Sequence, residues 1–250
     1  MKLQEILLER TVARKSEQYA RRLLSWFLDS DPTYLKNQQH RNALTNLFNM
    51  IKNDFDFEKR QVAFKVPAGV VNEDEFALVF EFDPMAMSNS TGAFVGSNDQ
   101  LENIIGIMGF DPEIEEDLDT EEDLINEMKD KLEFMMPQIY PVIVHEMTHY
   151  IDKNEIDMTI DRSEVSMDDY FNSEHEFRAY MVQAISKFES DSEEKIEQLL
   201  KEDFDVFVWL FGNNYLHAEF SRHMSEENKE KMKQELWKVY TELRREKGLE

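Results

Sequence analysis

Two histidines four residues apart, with a glutamate directly after the first, stand in the run Val142-Ile143-Val144-His145-Glu146-Met147-Thr148-His149-Tyr150-Ile151. On a helix, positions i and i+4 lie one above the other on the same face, so His145 and His149 can turn ring nitrogens toward one metal ion. Zinc is the metal this spacing points to. Glu146 leans over the same point. Its carboxylate can reach a water on that ion without being a ligand, which is the placement of a general base in metal-assisted hydrolysis. The flanks suit a buried helix, because Val142, Ile143, Met147, Thr148 and Ile151 are all uncharged. The blander reading of the same letters is a pair of histidines on an amphipathic surface helix.

The elements that must hold such a helix can be read from the periodicity. With 250 residues and 41% hydrophobic content the chain can bury a sizeable core, and one domain over residues 1–250 is the expectation. Residues 3 to 28 read as a helix, with Ala20, Leu23, Leu24, Phe27 and Leu28 at helical spacing and Asp31-Pro32 closing the run. Leu44, Leu47, Phe48 and Ile51 mark a second amphipathic helix, so helices occupy 1–58. From 60 to 110 the period becomes two: Val62 to Val66 and Phe76 to Phe82 read as strands, and Thr91–Gly96 and Asn103–Ile107 as a hairpin about Ser97-Asn98-Asp99. Five of the seven glycines fall between residues 69 and 109. An exposed edge of such a sheet could hold an extended peptide by main-chain hydrogen bonds.

Residues 111 to 123 are acidic and read as a loop. Thr120 and Asp123 form a helix-start pair for a stripe through Leu124, Ile125, Met128, Leu132 and Met135. The histidine helix is expected from Pro141 to Lys153, and an irregular connection from Asn154 to Asp169. A helix faces the core through Phe177, Met181, Ala184, Ile185 and Phe188. One further helix, from Ile196 through Phe211, should stop at Gly212-Asn213, and a last one, opened by Ser225, should close near Gly248. The fold class expected is therefore α+β: mostly helical, with a small twisted sheet preceding the histidine helix, and the helices after the sheet running over 120–247.

Charge and composition narrow the partners. The formal net charge is −25, from 53 acidic against 28 basic residues, which argues against a nucleic-acid backbone or an anionic membrane and allows a substrate of basic character. There is no cysteine, so disulfides, thiolate zinc sites and cysteine nucleophiles are excluded. The opening Met1-Lys2-Leu3-Gln4-Glu5-Ile6 has no apolar run of a signal peptide, and no stretch has the roughly 18 apolar residues of a membrane span, so a cytoplasmic protein is expected.

His145-Glu146-Met147-Thr148-His149, joined to a downstream Glu176-Phe177-Arg178-Ala179 of the form E-x-x-A, resembles the gluzincin branch of the zincin metallopeptidases over about residues 141 to 181. The chain is also similar in general look to small metallopeptidases encoded by bacteriophages, for which the compartment would be the host cytoplasm. The resemblance implies a zincin-like fold and one zinc ion per chain, held by His145, His149 and Glu176. It implies peptide-bond hydrolysis by a zinc-bound water with Glu146 as the base. The metzincin continuation would need Gly at position 152 and His or Asp at 155, where this chain has Asp152 and Glu155. Glu155, Glu174, His175 and Asp169 are therefore alternative third ligands. Asp152 lies close to the face of the two histidines and reads either as an acceptor that fixes a ligand imidazole or as an exposed carboxylate. Tyr180, His175, His217 and His223 are the side chains able to donate to an oxyanion, and Tyr180 is the one assigned. Two other classes compete with the enzyme: a non-catalytic metal-binding structural or virion protein, and an acidic interaction protein such as a DNA mimic or inhibitor.

Overall fold

A computed structural model of the chain describes residues 3–28, 49, 53–54, 56, 61–82, 91–95, 104–109, 139–154 and 166–249; at 3–10, 28, 80–82, 91–95 and 104–109 it describes the backbone alone. The apolar positions of the second N-terminal helix, the Ser97-Asn98-Asp99 turn, the acidic stretch 111–123 with its helix start, the stripe from Leu124 to Met135, and Glu155 all lie outside the described residues. The chain divides into two compact units, Met1–Ile151 and Asp152–Glu250. The fold is α+β, with helices outweighing one small sheet that precedes the histidine helix. Among the described residues no helix is long and apolar enough to cross a membrane.

In the first unit, α1 spans Leu3–Leu28, with the bounds its sequence pattern predicts. Val12, Ser16, Tyr19, Ala20, Leu23, Leu24 and Phe27 are buried, and their three- and four-residue steps make one continuous face. The sheet consists of β1 (Gln61–Val66), β2 (Phe76–Phe82), β3 (Thr91–Val95) and β4 (Ile104–Gly109), in the order β1-β2-β4-β3. β1 pairs antiparallel with β2, with Val62 opposite Phe80 and Val66 opposite Phe76. Gly69 in the connection has φ 91°, a left-handed conformation that strains any residue with a Cβ. The expected hairpin is present, with β3 antiparallel to β4. Its return strand β4 inserts beside β2 and runs parallel to it, Leu78 opposite Ile105. β2 is thus a central strand, and Ala77 is buried as well as Phe76 and Leu78, so at this end of the strand side chains on both faces are covered where period-two alternation alone would put Ala77 in solvent.

The histidine helix, α2, includes 139–154 among the described residues, so the chain is already helical before Pro141, where the sequence expectation starts it. It is tied to α1 and the sheet by polar and aromatic contacts. The Thr148 hydroxyl lies 3.0 Å from the Ser16 hydroxyl and 2.9 Å from the Val144 carbonyl, with its single proton shared between the two acceptors. Arg21 donates to the Tyr140 hydroxyl at 3.2 Å, and Phe76 meets Tyr150 edge-on at 4.9 Å. Phe27 packs edge-on against Phe64 at 5.0 Å, and Arg22 donates to the Val71 carbonyl at 2.9 Å, so α1 is also fixed to β1 and to the connection that follows it.

The second unit is helical: α3 (Met167–Asn172), α4 (Glu174–Glu189), α5 (Glu193–Lys201), α6 (Phe204–Tyr215), α7 (Ala218–His223) and α8 (Glu226–Glu246). Its core is aromatic. Phe188, Phe207, Phe211 and Phe220 are fully buried beside Leu200 and Leu236. Three expectations are corrected here. The single helix predicted from Ile196 to Gly212 is two, because the Asp203 carboxylate accepts from the Val206 N–H at 3.0 Å and starts a new helix. That second helix continues through Gly212 to Tyr215, since the apolar stripe of Phe207, Val208 and Phe211 continues in buried Tyr215. The connection predicted to be irregular up to Asp169 gives way to α3 at Met167, where Ser166 caps the Asp169 N–H at 3.1 Å. Ser225 and Gly248 bound α8 as their residue types predict.

The Tyr215 hydroxyl donates to Asp191 at 2.7 Å, and Lys195 lies 2.6 Å from the same carboxylate. Burial pushes the Tyr215 phenol well above its ordinary value, and the proton it shares with Asp191 pushes it further. Burial acts to raise the Asp191 carboxyl, but the hydrogen bonds from Lys195 and Tyr215 outweigh it and hold that group below the usual range. A phenol whose pKa is raised on folding contributes stability that is complete below the unfolded value of about 10 and is lost as pH rises toward the folded value. The urea midpoint of the wild type is therefore expected to fall more steeply above pH 10 than that of Tyr215→Phe. Parallel curves would show that this phenol ionises equally in both states.

Candidate metal centre

Every residue from 141 to 152 of α2 is buried. His145 is 6% exposed, Glu146 3% and His149 1%, so the motif sits on an interior helix and the surface-helix reading does not hold. The i, i+4 spacing brings the two Nε2 atoms to 3.0 Å. The ring centres are 4.7 Å apart with the planes at 82°. With the nitrogens closer together than the ring centres, the two rings turn their Nε2 edges toward each other. Nitrogens 3.0 Å apart can both lie about 2.0–2.1 Å from one ion, the usual Zn–N distance. An N–H···N bond between the rings is the other use of this spacing.

The next turn of α2 is pinned from the sheet side. The Tyr150 hydroxyl donates to the Asp74 carboxylate and accepts from the Asn72 amide at 2.5 Å. Burial pushes that phenol far up, with the hydrogen bond to Asp74 adding to it, so Tyr150 is a neutral donor in the folded chain. Asn72 is itself fixed by accepting from the Asp74 N–H at 2.9 Å.

Glu176 lies in the first turn of α4 and is fully buried. Of the two glutamates that open this helix, Glu174 has a side chain 75% exposed and 3.5 Å from Arg178, while the Glu176 side chain is 0% exposed. His175 Nε2 is 3.8 Å from Glu176 Oε1. His145, His149 and Glu176 each offer one ligand atom, and the three atoms lie within 4.8 Å of one another. No protein family, curated protein or solved structure matches the chain. The donor set must therefore speak for itself. Two neutral imidazoles and one carboxylate are the nitrogen and oxygen donors that zinc takes at open sites, and a buried carboxylate is tolerated when it is paired or coordinates a metal. These residues fit a zinc ion.

The remaining candidates are held by contacts of their own. Asp169 is an exposed side chain in the N-terminal cap of α3, accepting from the Ser166 hydroxyl at 2.7 Å. Tyr180 has its ring stacked on Phe220 at 4.7 Å and lies 5.5 Å from the His217 ring. His223 stacks on Phe171 at 5.4 Å and bonds Asp168 at 2.6 Å, a tie between α7 and α3. Asp152 is buried, not exposed, and accepts from Arg178 at 2.7 Å. Arg178 is the residue that sequence reasoning passed over. The available signal was a lone cation inside an E-F-R-A segment that continues into an apolar stripe, two residues after the ligand candidate.

One zinc per chain is the expected stoichiometry by elemental analysis, lost in His145→Ala and in His149→Ala. In chelator competition Glu176→Ala should release zinc at least about tenfold more readily than wild type, with Glu174→Ala close to wild type. The reverse order would assign the third ligand to Glu174.

Proposed function

We propose that the protein is a zinc-dependent metallopeptidase of the gluzincin type, acting on a peptide or protein substrate. The observation that carries the reading is a buried carboxylate, Glu146, adjacent in sequence to two convergent buried imidazoles on one helix. Neither of the other classes gives that carboxylate a task. His145, His149 and Glu176 would hold the zinc. When bound, the ion supplies a Lewis acid that polarises the scissile carbonyl and lowers the pKa of a water.

The remaining work falls to the chain. Glu146 takes a proton from the attacking water at a carboxylate oxygen and delivers it to the departing amine, so one group serves as base and then as acid. Its burial removes competing solvent, which strengthens each electrostatic contact it makes. Tyr180 is the hydroxyl we assign to the developing oxyanion, its ring held by stacking on Phe220. The sheet ends on β1 and β3, and an extended substrate could add to an outer strand through main-chain hydrogen bonds. The net charge of −25 favours basic substrates. The compartment we assign is the cytoplasm, that of a host if the chain is phage-encoded.

Glu146→Gln keeps the side chain's size and removes its basicity, so peptide turnover should fall about 100- to 10,000-fold with zinc still bound. Turnover at the wild-type rate would remove Glu146 from this role. Tyr180→Phe should lower kcat and leave KM unchanged, as expected for a contact made only in the transition state. A change in KM alone would assign the hydroxyl to substrate binding.

A further inference from the structure

Asp152 and Arg178 form an ion pair inside the protein, Nη1 to Oδ1 at 2.7 Å, with side chains 0% and 10% exposed. It joins the last turn of α2 to the second turn of α4. The second guanidinium nitrogen lies 3.5 Å from Glu174, one helical turn back on α4, so the arginine is gripped between a buried and an exposed carboxylate. A pair of this kind has a poor claim to exist for stability. Removing both charges from water costs about as much as their attraction returns, and replacing such pairs with apolar side chains is often neutral or stabilising. The best-attested use of buried ion pairs is to specify register.

The position of the pair says which register is specified. Asp152 follows His149 by three residues, on nearly the same face of α2. Arg178 follows Glu176 by two on α4, about 200° around the helix and about 3 Å along it. A helix is stiff over that distance. Fixing the direction of Arg178 therefore fixes the direction in which Glu176 points, and a rotation of α4 that displaced the carboxylate would break the ion pair. The bond is directional too, because a planar guanidinium donates along fixed axes where an ammonium would not.

We propose that Asp152 and Arg178 are positioning residues: their ion pair sets the rotation of α4 that presents Glu176 to the metal, and so governs the affinity of the site. This rests on the zinc reading above. It goes beyond it in assigning a function to a pair that touches neither metal nor substrate in that reading.

The test uses the full chain, in three forms: wild type, the apolar double variant Asp152→Leu with Arg178→Met, and Arg178→Lys, which keeps the charge and loses the fork. Three quantities are measured on each. They are the melting temperature of the metal-free protein in chelator, the zinc dissociation constant by chelator competition, and the visible absorption of the cobalt(II) derivative, whose intensity reports coordination number. The expected result is a metal-free melting temperature at or above wild type in the double variant. Zinc affinity should be about 10- to 100-fold weaker in both variants, with a cobalt band altered from wild type. Wild-type zinc affinity and an unchanged cobalt band in a folded variant would overturn the positioning role and leave the zinc reading intact. Loss of fold in both metal-free variants would overturn it also, by making the pair a structural requirement. A wild-type chain that binds no zinc would remove the parent reading, and this inference with it.

Discussion

The structure turns on the cost of burying polar groups along one helix. Residues 141 to 152 of α2 are all buried, and His145, Glu146, Thr148, His149 and Asp152 are among them. A buried polar group without a partner costs about 1–3 kcal/mol, and an ionised one more. A helix of this composition can exist only where its surroundings answer each group. Thr148 is answered by Ser16 and by its own helix, and Asp152 by Arg178. Just beyond the second histidine, Tyr150 is answered by Asp74 and Asn72. The two imidazole Nε2 atoms lie 3.0 Å apart, and with Glu176 they offer three ligand atoms within 4.8 Å of one another, a set that could hold a metal ion. The same requirement that makes the helix expensive makes it a candidate site.

The helical unit meets a different demand, to hold a short first turn of α4 in place. Its core supplies stiffness through large rings: Phe188 meets Phe207, Phe211 and Tyr215 edge-on at 5.3–5.8 Å. Short helices with hydroxyl or carboxylate caps fold the chain around those rings. Ser166, Ser192, Asp203 and Ser225 each accept from a backbone N–H three residues on, so most bends between helices also start the next one. Polar ties reinforce the corners. Asn172 donates to the His223 carbonyl at 2.8 Å and accepts from the Ser225 N–H at 2.7 Å, fixing the start of α8 against the end of α3. Arg244 closes the other end, donating to the Leu200 and Leu249 carbonyls at 2.7 and 2.6 Å.

What was legible in the chain is what short-range forces settle. The bounds of α1, the strand Phe76–Phe82, the β3–β4 hairpin, and the start and end of α8 follow from period and from capping residues, all of which act within a few positions. The histidine pair was legible for the same reason, since the i, i+4 relation is local geometry and needs only that the segment be helical. The reading failed where two local signals competed. Ile196 to Phe211 carries one apolar stripe, and a single aspartate at 203 breaks it in two because an N-cap hydrogen bond outweighs continued periodicity.

By itself, then, the sequence determined a mostly helical α+β chain with two imidazoles and a carboxylate on one helix. Through the E-x-x-A resemblance it named Glu176 as a third ligand and left Glu174 open as an alternative. Only the tertiary structure decided which of those groups face the interior. It placed β4 parallel to β2, which makes β2 a central strand, and it buried Ala77 as well as Phe76 and Leu78. It turned Asp152 inward onto an arginine 26 residues away, where sequence left an imidazole anchor and an exposed carboxylate equally open. The physical reason is the same in each case. Burial and pairing of a charged side chain depend on what other segments bring to it, and the energy of a buried ion pair is set by partners that no local period records.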